Sequence, residues 1–474
     1  MLFNTYQFLF FFPAFLLVHF LLKEEHRYLW ILLCSLFFYA CWNPLHLIYL
    51  FYCIVVSYTA GLLLEKRKQK PLLALFVLLD ALPLLVFKYA YFVAENLARL
   101  LRLDLSATSF PRFLLPVGIS FYTFQTLSYI VDVYRDDVEN ERSFLYYALF
   151  VSFFPQLVAG PIEHSKALLP QLRKKRPFDY DQFREGMLLM GWGMFLKIVI
   201  ADRAARLIDP IYADYAGMDG IYLILGTVLF AFQLFCDFAG YSTIALGAAR
   251  IIGITLTDNF QAPYLSTGAG EFWRRWHVSL GQWFKDYLYI PMGGSRKGRL
   301  RTCLNKFLVS LISGLWHGAS WTFVAWGAIN GLYQVIDELG KKPLQKIRKA
   351  APGRVLLMIL MFLGYCVSLV FFRSGSMAQG VGILSGILHR THLAGLTGEM
   401  FTWGLSAGNL AVLAAAIGLL IFADVCKKNG ICIRKRILAL STPLRWLVYL
   451  SLFLVLLIFG EYGENAAQFI YFVF

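Results

Sequence analysis

The chain has 474 residues, of which 59% are hydrophobic and only 15% are charged. Soluble domains carry about 25% charged residues, so this composition excludes an ordinary water-soluble protein. The formal net charge of +15 does not indicate nucleic-acid binding, because the basic residues are clustered in short loops between apolar segments. That distribution is typical of the cytoplasmic side of a membrane protein, so we expect membrane lipids and no nucleic acid around the chain.

The apolar segments follow one another along most of the chain. The first, Tyr6–Leu22, has no basic region before it and no small-residue cleavage site after it, so we expect it to be retained. Tyr28–Leu64 contains no charged residue, whereas a membrane-spanning helix needs only ~20 apolar residues. Counting all such segments predicts roughly ten to twelve spans. We expect an all-α polytopic membrane protein in which residues 1–474 form a single integral-membrane domain.

Two apolar segments do not fit a simple series of crossings. Phe144–Ile162 carries the helix breakers Pro155, Gly160 and Pro161. We expect this segment to be re-entrant, dipping into a central cavity without crossing the membrane as one helix, since irregular backbone at that depth must be surrounded by protein or water.

The second such segment, Phe307–Ile336, has no charged residue but has basic clusters on both sides. One crossing would place those clusters on opposite faces of the membrane, and two full crossings need ~40 residues where about thirty are available. We therefore predict a re-entrant pair of helices, broken near Gly314 and Gly318.

His317 lies inside that charge-free segment. If the residues from Phe307 onward are helical, His317 lies about 15 Å along the helix, near the middle of a ~30 Å hydrocarbon core. An ionisable side chain at that depth points to function. A neutral histidine hydrogen-bonded between helices remains the alternative.

His277 follows an aromatic and basic run, FWRRWH at Phe272–His277. On a helix its tryptophans would share one side with Leu280, Phe284 and other apolar residues, as in an interfacial amphipathic helix. That pattern needs no catalytic explanation. The eight cysteines show no paired spacing, so we expect no metal site.

These residues resemble the membrane-bound O-acyltransferase family, and in particular its bacterial alginate O-acetylation branch. The motifs are long and spread over nearly the whole chain. They are FPQLVAGP at 154–161, Asn259-Phe260 with Pro263-Tyr264, FWRRWH at 272–277, DYLYIP at 286–291 with Gly293-Gly294, LWHG at 315–318 with Trp321 and Trp326, and FIYFVF at 469–474. One departure is Thr243, where alginate-type members usually have aspartate after the Asp237-Phe238 pair.

The resemblance implies a central catalytic histidine at His317, acting as general base, with His277 as its companion. It implies a multi-pass protein of the bacterial inner (cytoplasmic) membrane that takes an acetyl group from a cytoplasmic thioester. We expect acetyl-CoA as the donor substrate and no permanently bound cofactor. An extracytoplasmic partner acetyltransferase or a polysaccharide is the expected acceptor. D-alanyl transfer from a carrier protein to teichoic acid, and a non-catalytic scaffold for a partner enzyme, remain alternatives.

Overall fold

The computed structural model describes residues 1–102, 115–392, 401, 406–463 and 467–470. These residues form helices joined by short loops, and the one β-type pairing among them is an isolated bridge between Phe260 and Trp276. The prediction of an all-α protein is therefore confirmed.

The first ten helices occupy the N-terminal part of the chain. They are α1 Tyr6–Leu21, α2 Arg27–Ala40, α3 His46–Lys66, α4 Lys70–Leu84, α5 Ala90–Leu101, α6 Ile119–Arg135, α7 Phe144–Ser152, α8 Phe154–Leu157, α9 Ser165–Arg173 and α10 Tyr180–Met194. A π-helical turn, Leu85–Tyr89, joins α4 to α5, and another, Phe195–Ala201, follows α10. The chain therefore stays helical without a break through each of these two π turns.

The remaining helices carry the residues of the candidate site. They are α11 Asp202–Ala213, α12 Gly220–Ile251, α13 Ala269–Arg275, α14 Val278–Phe284, α15 Gly298–His317, α16 Trp321–Leu339, α17 Lys341–Lys349, α18 Ala351–Arg373, α19 Met377–His389, α20 Ala407–Lys428, α21 Ile433–Leu438 and α22 Thr442–Phe459. A third π turn, Lys285–Tyr289, extends α14.

The contacts between Cα atoms divide the chain into two compact units. The first consists of residues 1–187 and 245–257, and the second of residues 188–244 and 258–474. The prediction of one integral-membrane domain stays a prediction.

Several helices have the length and composition of membrane spans. Among the described residues, six are long and apolar enough to cross a bilayer: His46–Lys66, Lys70–Leu101, Gly220–Ile251, Ala351–Arg373, Ala407–Lys428 and Thr442–Phe459. Tyr6–Leu21 and Met377–His389 are shorter apolar helices. This set confirms a polytopic membrane protein.

In the first unit, the breakers of the segment 144–162 act as the sequence predicts. Helix α7 ends at Ser152, Pro155 lies in the first turn of the four-residue α8, and the chain is non-helical from Gly160 to His164. Nearly all of this segment's interior residues are buried in protein. Burial of this kind is what irregular backbone requires in a membrane protein.

In the second unit, α15 and α16 form an antiparallel hairpin that turns at Gly318. A Cβ atom at Gly314 would lie 2.3 Å from the carbonyl oxygen of Phe323, and one at Gly327 would lie 2.7 Å from that of Ser310. Glycine at both positions therefore allows the two helices to touch at their backbones. At the open end, Arg299 donates to the carbonyl of Glu338 (3.0 Å).

The hairpin agrees with one part of the prediction and corrects another. Its two ends lie together, as the matching basic clusters require. However, α15 continues through Gly314 without a break, and only Gly318 interrupts the helix. Both helices are also longer than the charge-free segment, because α15 begins in the basic cluster at Gly298 and α16 includes Asp337 and Glu338.

Candidate active site

His317 is the last residue of α15. Its side chain is 7% exposed, and the chain leaves the helix at Gly318 in an extended conformation. Gly318 is required there, because a Cβ atom would lie 2.2 Å from the ring of Phe323. The histidine is thus fixed at a helix end, in the narrowest part of the hairpin.

His277 does not lie on a continuous amphipathic helix, so that prediction is wrong. Helix α13 ends at Arg275 and α14 starts at Val278, and His277 between them has φ 47° and ψ 58°. This left-handed region is uncommon for residues other than glycine. The break turns the ring of His277 into the protein, where it is 1% exposed.

A neighbouring loop holds this break in place. The amide of Val278 donates to the carbonyl of Asn259 (3.1 Å), and the amide of Ser279 donates to the side-chain oxygen of Asn259 (3.1 Å). On the other side, the amide of Gln261 donates to the carbonyl of Arg275 (2.9 Å). The loop that contains the Asn259-Phe260 motif therefore holds the backbone on both sides of His277.

Aromatic rings pack around both histidines. The ring of His317 lies edge-on to Trp326 at a centroid distance of 5.0 Å and to Phe372 at 5.5 Å. The ring of Trp316 is 4.9 Å from His317 and 6.3 Å from His277. The structure thus brings the two predicted histidines into the surroundings of one tryptophan, Trp316.

A cavity of about 570 Å³ lies beside this aromatic group in the second unit. Trp326 and Trp273 form part of its wall, and Val278, the residue after His277, lines it as well. The rings of Trp273 and Trp326 meet edge to face at 5.7 Å. The histidines lie immediately behind this wall.

Basic and neutral polar side chains lie among the mainly apolar surface of the cavity. Arg274, Lys285 and Lys306 contribute positive charge, and no acidic side chain is among the described residues that line it. Ser310 and Gln334 add neutral polar groups to the lining, and the side-chain amide of Gln334 donates to the hydroxyl oxygen of Ser310 (2.6 Å). Lys306 is paired with Glu338, so Arg274 and Lys285 are the cations left to meet a ligand. A mainly apolar cavity of this size with a few basic groups suits a ligand that carries negative charge.

The surroundings of His277 determine its charge. His277, which lies outside the candidate spans, is enclosed by protein, and this burial lowers the pKa of its imidazole to about 3. Desolvation disfavours the charged form, so His277 is neutral at physiological pH. A neutral imidazole can donate one hydrogen bond and accept another.

Sequence patterns missed several residues that complete the site. The ring of Phe238 stands edge-on to His277 at 4.7 Å, and it belongs to the long helix α12. Phe372, which contacts both His317 and Trp326, ends α18. Phe372 lies in an apolar segment where one phenylalanine looks like the next, and Phe238 was visible in the sequence only as part of the Asp237-Phe238 pair. Residues 471–474 of the closing motif lie outside the described residues.

Comparison with known proteins identifies the class. The profile of the membrane-bound O-acyltransferase family matches residues 18–374. The chain belongs to this family and is an O-acyltransferase.

Individual relatives agree with this assignment. The chain is 35% identical over 432 residues to "Probable alginate O-acetylase AlgI" of Pseudomonas aeruginosa, covering 89% of this chain and 80% of the relative. It is 33% identical over 424 residues to the peptidoglycan O-acetyltransferase of Helicobacter pylori, covering 82% and 80%. It is 30% identical over 251 residues to the teichoic acid D-alanyltransferase of Streptococcus thermophilus, covering 50% of this chain and 60% of the relative.

Proposed function

We propose that the chain transfers an acetyl group from a cytoplasmic thioester donor, acetyl-CoA, for the O-acetylation of a polysaccharide outside the bacterial inner membrane. The observation that carries this proposal is the basic cavity beside His317. Acetyl-CoA carries several phosphate negative charges, and Arg274 and Lys285 in the cavity lining supply cations to meet them. The relatives that are named as O-acetylating enzymes support acetyl as the group that is transferred.

In the proposed reaction, the neutral imidazole of His317 accepts the proton of an incoming hydroxyl group. The oxygen attacks the thioester carbonyl carbon, and a tetrahedral oxyanion forms. As the carbonyl is restored, the carbon–sulfur bond breaks, and the imidazolium of His317 returns its proton to the leaving thiolate. A histidine suits both transfers because its ordinary pKa of about 6.5 is close to working pH.

His277 has a supporting part in this proposal. Held neutral by burial, its ring can donate a hydrogen bond to the oxyanion or orient the acceptor hydroxyl. Its fixed backbone and its contact with Phe238 leave the ring little freedom. A preorganised donor avoids the cost of reorientation during the reaction.

The acceptor is proposed to be a hydroxyl group of an extracytoplasmic partner acetyltransferase or of the polysaccharide itself. A cavity bounded by the hairpin α15–α16 would let one histidine serve a donor from one side and an acceptor from the other. D-alanyl transfer is the second candidate, supported by similarity to a teichoic acid D-alanyltransferase over half of the chain. A non-catalytic scaffold would require the buried histidine to have no chemical role.

The test is acetyl transfer from radiolabelled acetyl-CoA by purified protein in detergent, with a simple hydroxyl acceptor. His317→Ala should lose about 10²–10⁴-fold in rate, the usual contribution of general acid–base catalysis. The matched control is His46→Ala, which removes another buried histidine outside the site and should keep its activity. A D-alanyl thioester is compared as donor.

Each result discriminates between the candidates. Turnover of acetyl-CoA that is lost only in His317→Ala supports the proposal. Preference for the D-alanyl donor supports the second candidate. Equal turnover by His317→Ala and wild type refutes the catalytic assignment, and no turnover of either donor favours a scaffold.

A further inference from the structure

A cluster of three charged side chains is buried in the second unit, away from the cavity. The ammonium group of Lys197 lies 2.7 Å from a carboxylate oxygen of Asp202 and 2.6 Å from one of Asp237. Exposures are 3% for Lys197, 0% for Asp202 and 2% for Asp237. We call these three residues the ionic node. Burying charges is costly, so a node of this kind calls for an explanation beyond stability.

The node holds the end of the described chain. Lys197 also donates to the carbonyl of Ala467 (3.1 Å), and the second oxygen of Asp237 accepts from the amide of Ile470 (2.7 Å). An ammonium group has three donors, and three oxygen atoms lie within 3.1 Å of this one. The segment 467–470 is non-helical up to its last residue, so its backbone groups need such partners when they are buried.

A second set of contacts fastens the start of this C-terminal segment. Arg203 donates to the carbonyl of Phe459 (2.7 Å), where α22 ends, and its guanidinium lies 3.3 Å from the carboxylate of Glu461. The amide of Glu461 donates to the carbonyl of Ile198 (3.0 Å). Residues 459–461 and Ala467 are therefore tied to the same stretch of chain, 197–203. We call residues 460–463 and 467–470 the C-terminal segment.

Local structure brings the node together. Lys197 belongs to the π turn Phe195–Ala201, and Asp237 lies near the middle of α12. The two helices approach closely at Gly240, where a Cβ atom would lie 2.8 Å from the carbonyl oxygen of Gly193 and 3.0 Å from the amide nitrogen of Lys197. π turns often occur at functional sites.

The anchored segment reaches the surroundings of His277. The ring of Phe469 packs 4.8 Å from Tyr241 and 6.3 Å from Phe238. Phe238 in turn stands edge-on to His277 at 4.7 Å. Phe238 follows Asp237 directly in α12, so the residue that binds the C-terminal segment and the residue that contacts His277 are neighbours.

We propose that Asp237 and Lys197 are positioning residues, which anchor the C-terminal segment so that Phe469 supports Phe238 against the His277 ring. Their contribution to catalysis rests on the proposed acyl transfer. The anchoring itself does not, and it is measured separately below.

The node supplies its own matched pair of variants. Asp237→Asn keeps the shape of the side chain and leaves Lys197 paired with Asp202. The oxygen that accepts from the Ile470 amide can then be replaced by the asparagine NH2 group, which is a donor and cannot accept that hydrogen bond. Asp202→Asn removes the same charge from the same cluster, and Asp202 forms no hydrogen bond or ion pair with residues 460–463 or 467–470. Neither variant leaves an isolated buried charge, so both are expected to fold.

The first measurement is maleimide labelling of Ile470→Cys in detergent, with the accessible cysteines Cys41, Cys426 and Cys432 replaced by serine. Ile470 is buried, so labelling reports release of the segment. Asp237→Asn should raise the labelling rate about tenfold, as expected for one lost buried hydrogen bond. Asp202→Asn should label at the wild-type rate. Equal rates for all three proteins would overturn the anchoring.

The second measurement is acetyl transfer. Asp237→Asn should lower kcat and leave the KM for acetyl-CoA unchanged, because the node does not touch the cavity. In a His277→Asn background, Asp237→Asn should have little further effect, since residues that act through one another are not additive. An undiminished effect there would refute the route through His277. Absence of all activity would count against the proposed function, while the labelling result would still decide the anchoring.

Discussion

The backbone of His277 costs free energy to maintain. Left-handed conformations cost a residue with a Cβ atom about 1–2 kcal/mol, and they persist only where the surroundings fix them. Pairing with residues 259–261 on both sides of the break provides that fixation. Strain of this kind clusters at functional sites, which agrees with a catalytic rather than an interfacial role for this residue.

Burial of His277 should make folding stability depend on pH. Its folded-state pKa of about 3 lies below the ordinary value, so the unfolded chain binds this proton first as the pH falls. The stabilising contribution is present above about pH 6.5 and is lost toward pH 3, by about 2 kcal/mol between pH 7 and 5. His277→Asn should show a correspondingly weaker acid destabilisation in thermal unfolding.

Asparagine is the suitable replacement because it tolerates the left-handed conformation. His26→Asn, at an exposed position, is the control and should follow wild type. Parallel pH dependence of wild type and His277→Asn would show that the ring is not buried as described.

Both histidines could be named from the sequence, His317 from its charge-free surroundings and His277 from the family motif. Their supporting residues could not. Phe238 is 39 positions from His277 along the chain, and only tertiary packing brings them together. Burial of His277 was equally hidden, because the helical pattern around it continues smoothly through the break.

Among the helices, the hairpin α15–α16 depends most on small residues. A Cβ atom at Gly314 would meet the backbone of Phe323, which cannot move aside as a side chain can. Gly314→Ala should push the helices apart and displace His317, three residues further on. We expect a loss of about 1–3 kcal/mol in stability, typical of overpacking, together with a loss of acyl transfer.

The control for this variant is Gly418→Ala in α20. A Cβ atom there meets nothing within 4 Å, so the substitution should be neutral or gain up to about 1 kcal/mol from helix propensity. Thermal unfolding in detergent distinguishes the two. Equal stability of Gly314→Ala and Gly418→Ala would mean that the hairpin is not closely packed.

The sequence underestimated the length of the two hairpin helices for a physical reason. Charge was taken to mark the helix ends, but Lys306 and Glu338 form an ion pair within the hairpin (2.5 Å). Paired charges are tolerated on facing helices where single ones are not. A count of uncharged residues cannot detect such pairing.

For the whole molecule, the hairpin predicts the sidedness of two loops. Because both ends of the hairpin lie together, cysteines placed at Arg301 and Lys342 should be labelled from the same face of the membrane. The basic clusters around them place that face on the cytoplasmic side. Labelling of intact cells and of inverted vesicles with an impermeant maleimide measures this, and labelling from opposite faces would refute the arrangement.

The helical class, the break in segment 144–162 and the family could be read from the sequence, because hydropathy, breakers and long motifs are all local signals. That the two segments are re-entrant stays a prediction. The ionic node could not, since its three members lie on the π turn, at the start of α11 and within α12. Asp237 was visible only as part of a motif. Its partner Lys197 lies in an apolar stretch, where a single lysine does not indicate which carboxylates it pairs with.

The π turn at Phe195–Ala201 also has an evolutionary meaning. Such a turn holds one residue more than an α-helical turn, so it corresponds to a single inserted residue within an otherwise ordinary helix. One residue rotates the following helix face by about 100°. A relative lacking that residue could not direct both Lys197 and Arg203 to the C-terminal segment. The presence or absence of one codon in this helix would therefore separate chains that anchor their C-terminal segment in this way from chains that must hold it by other means.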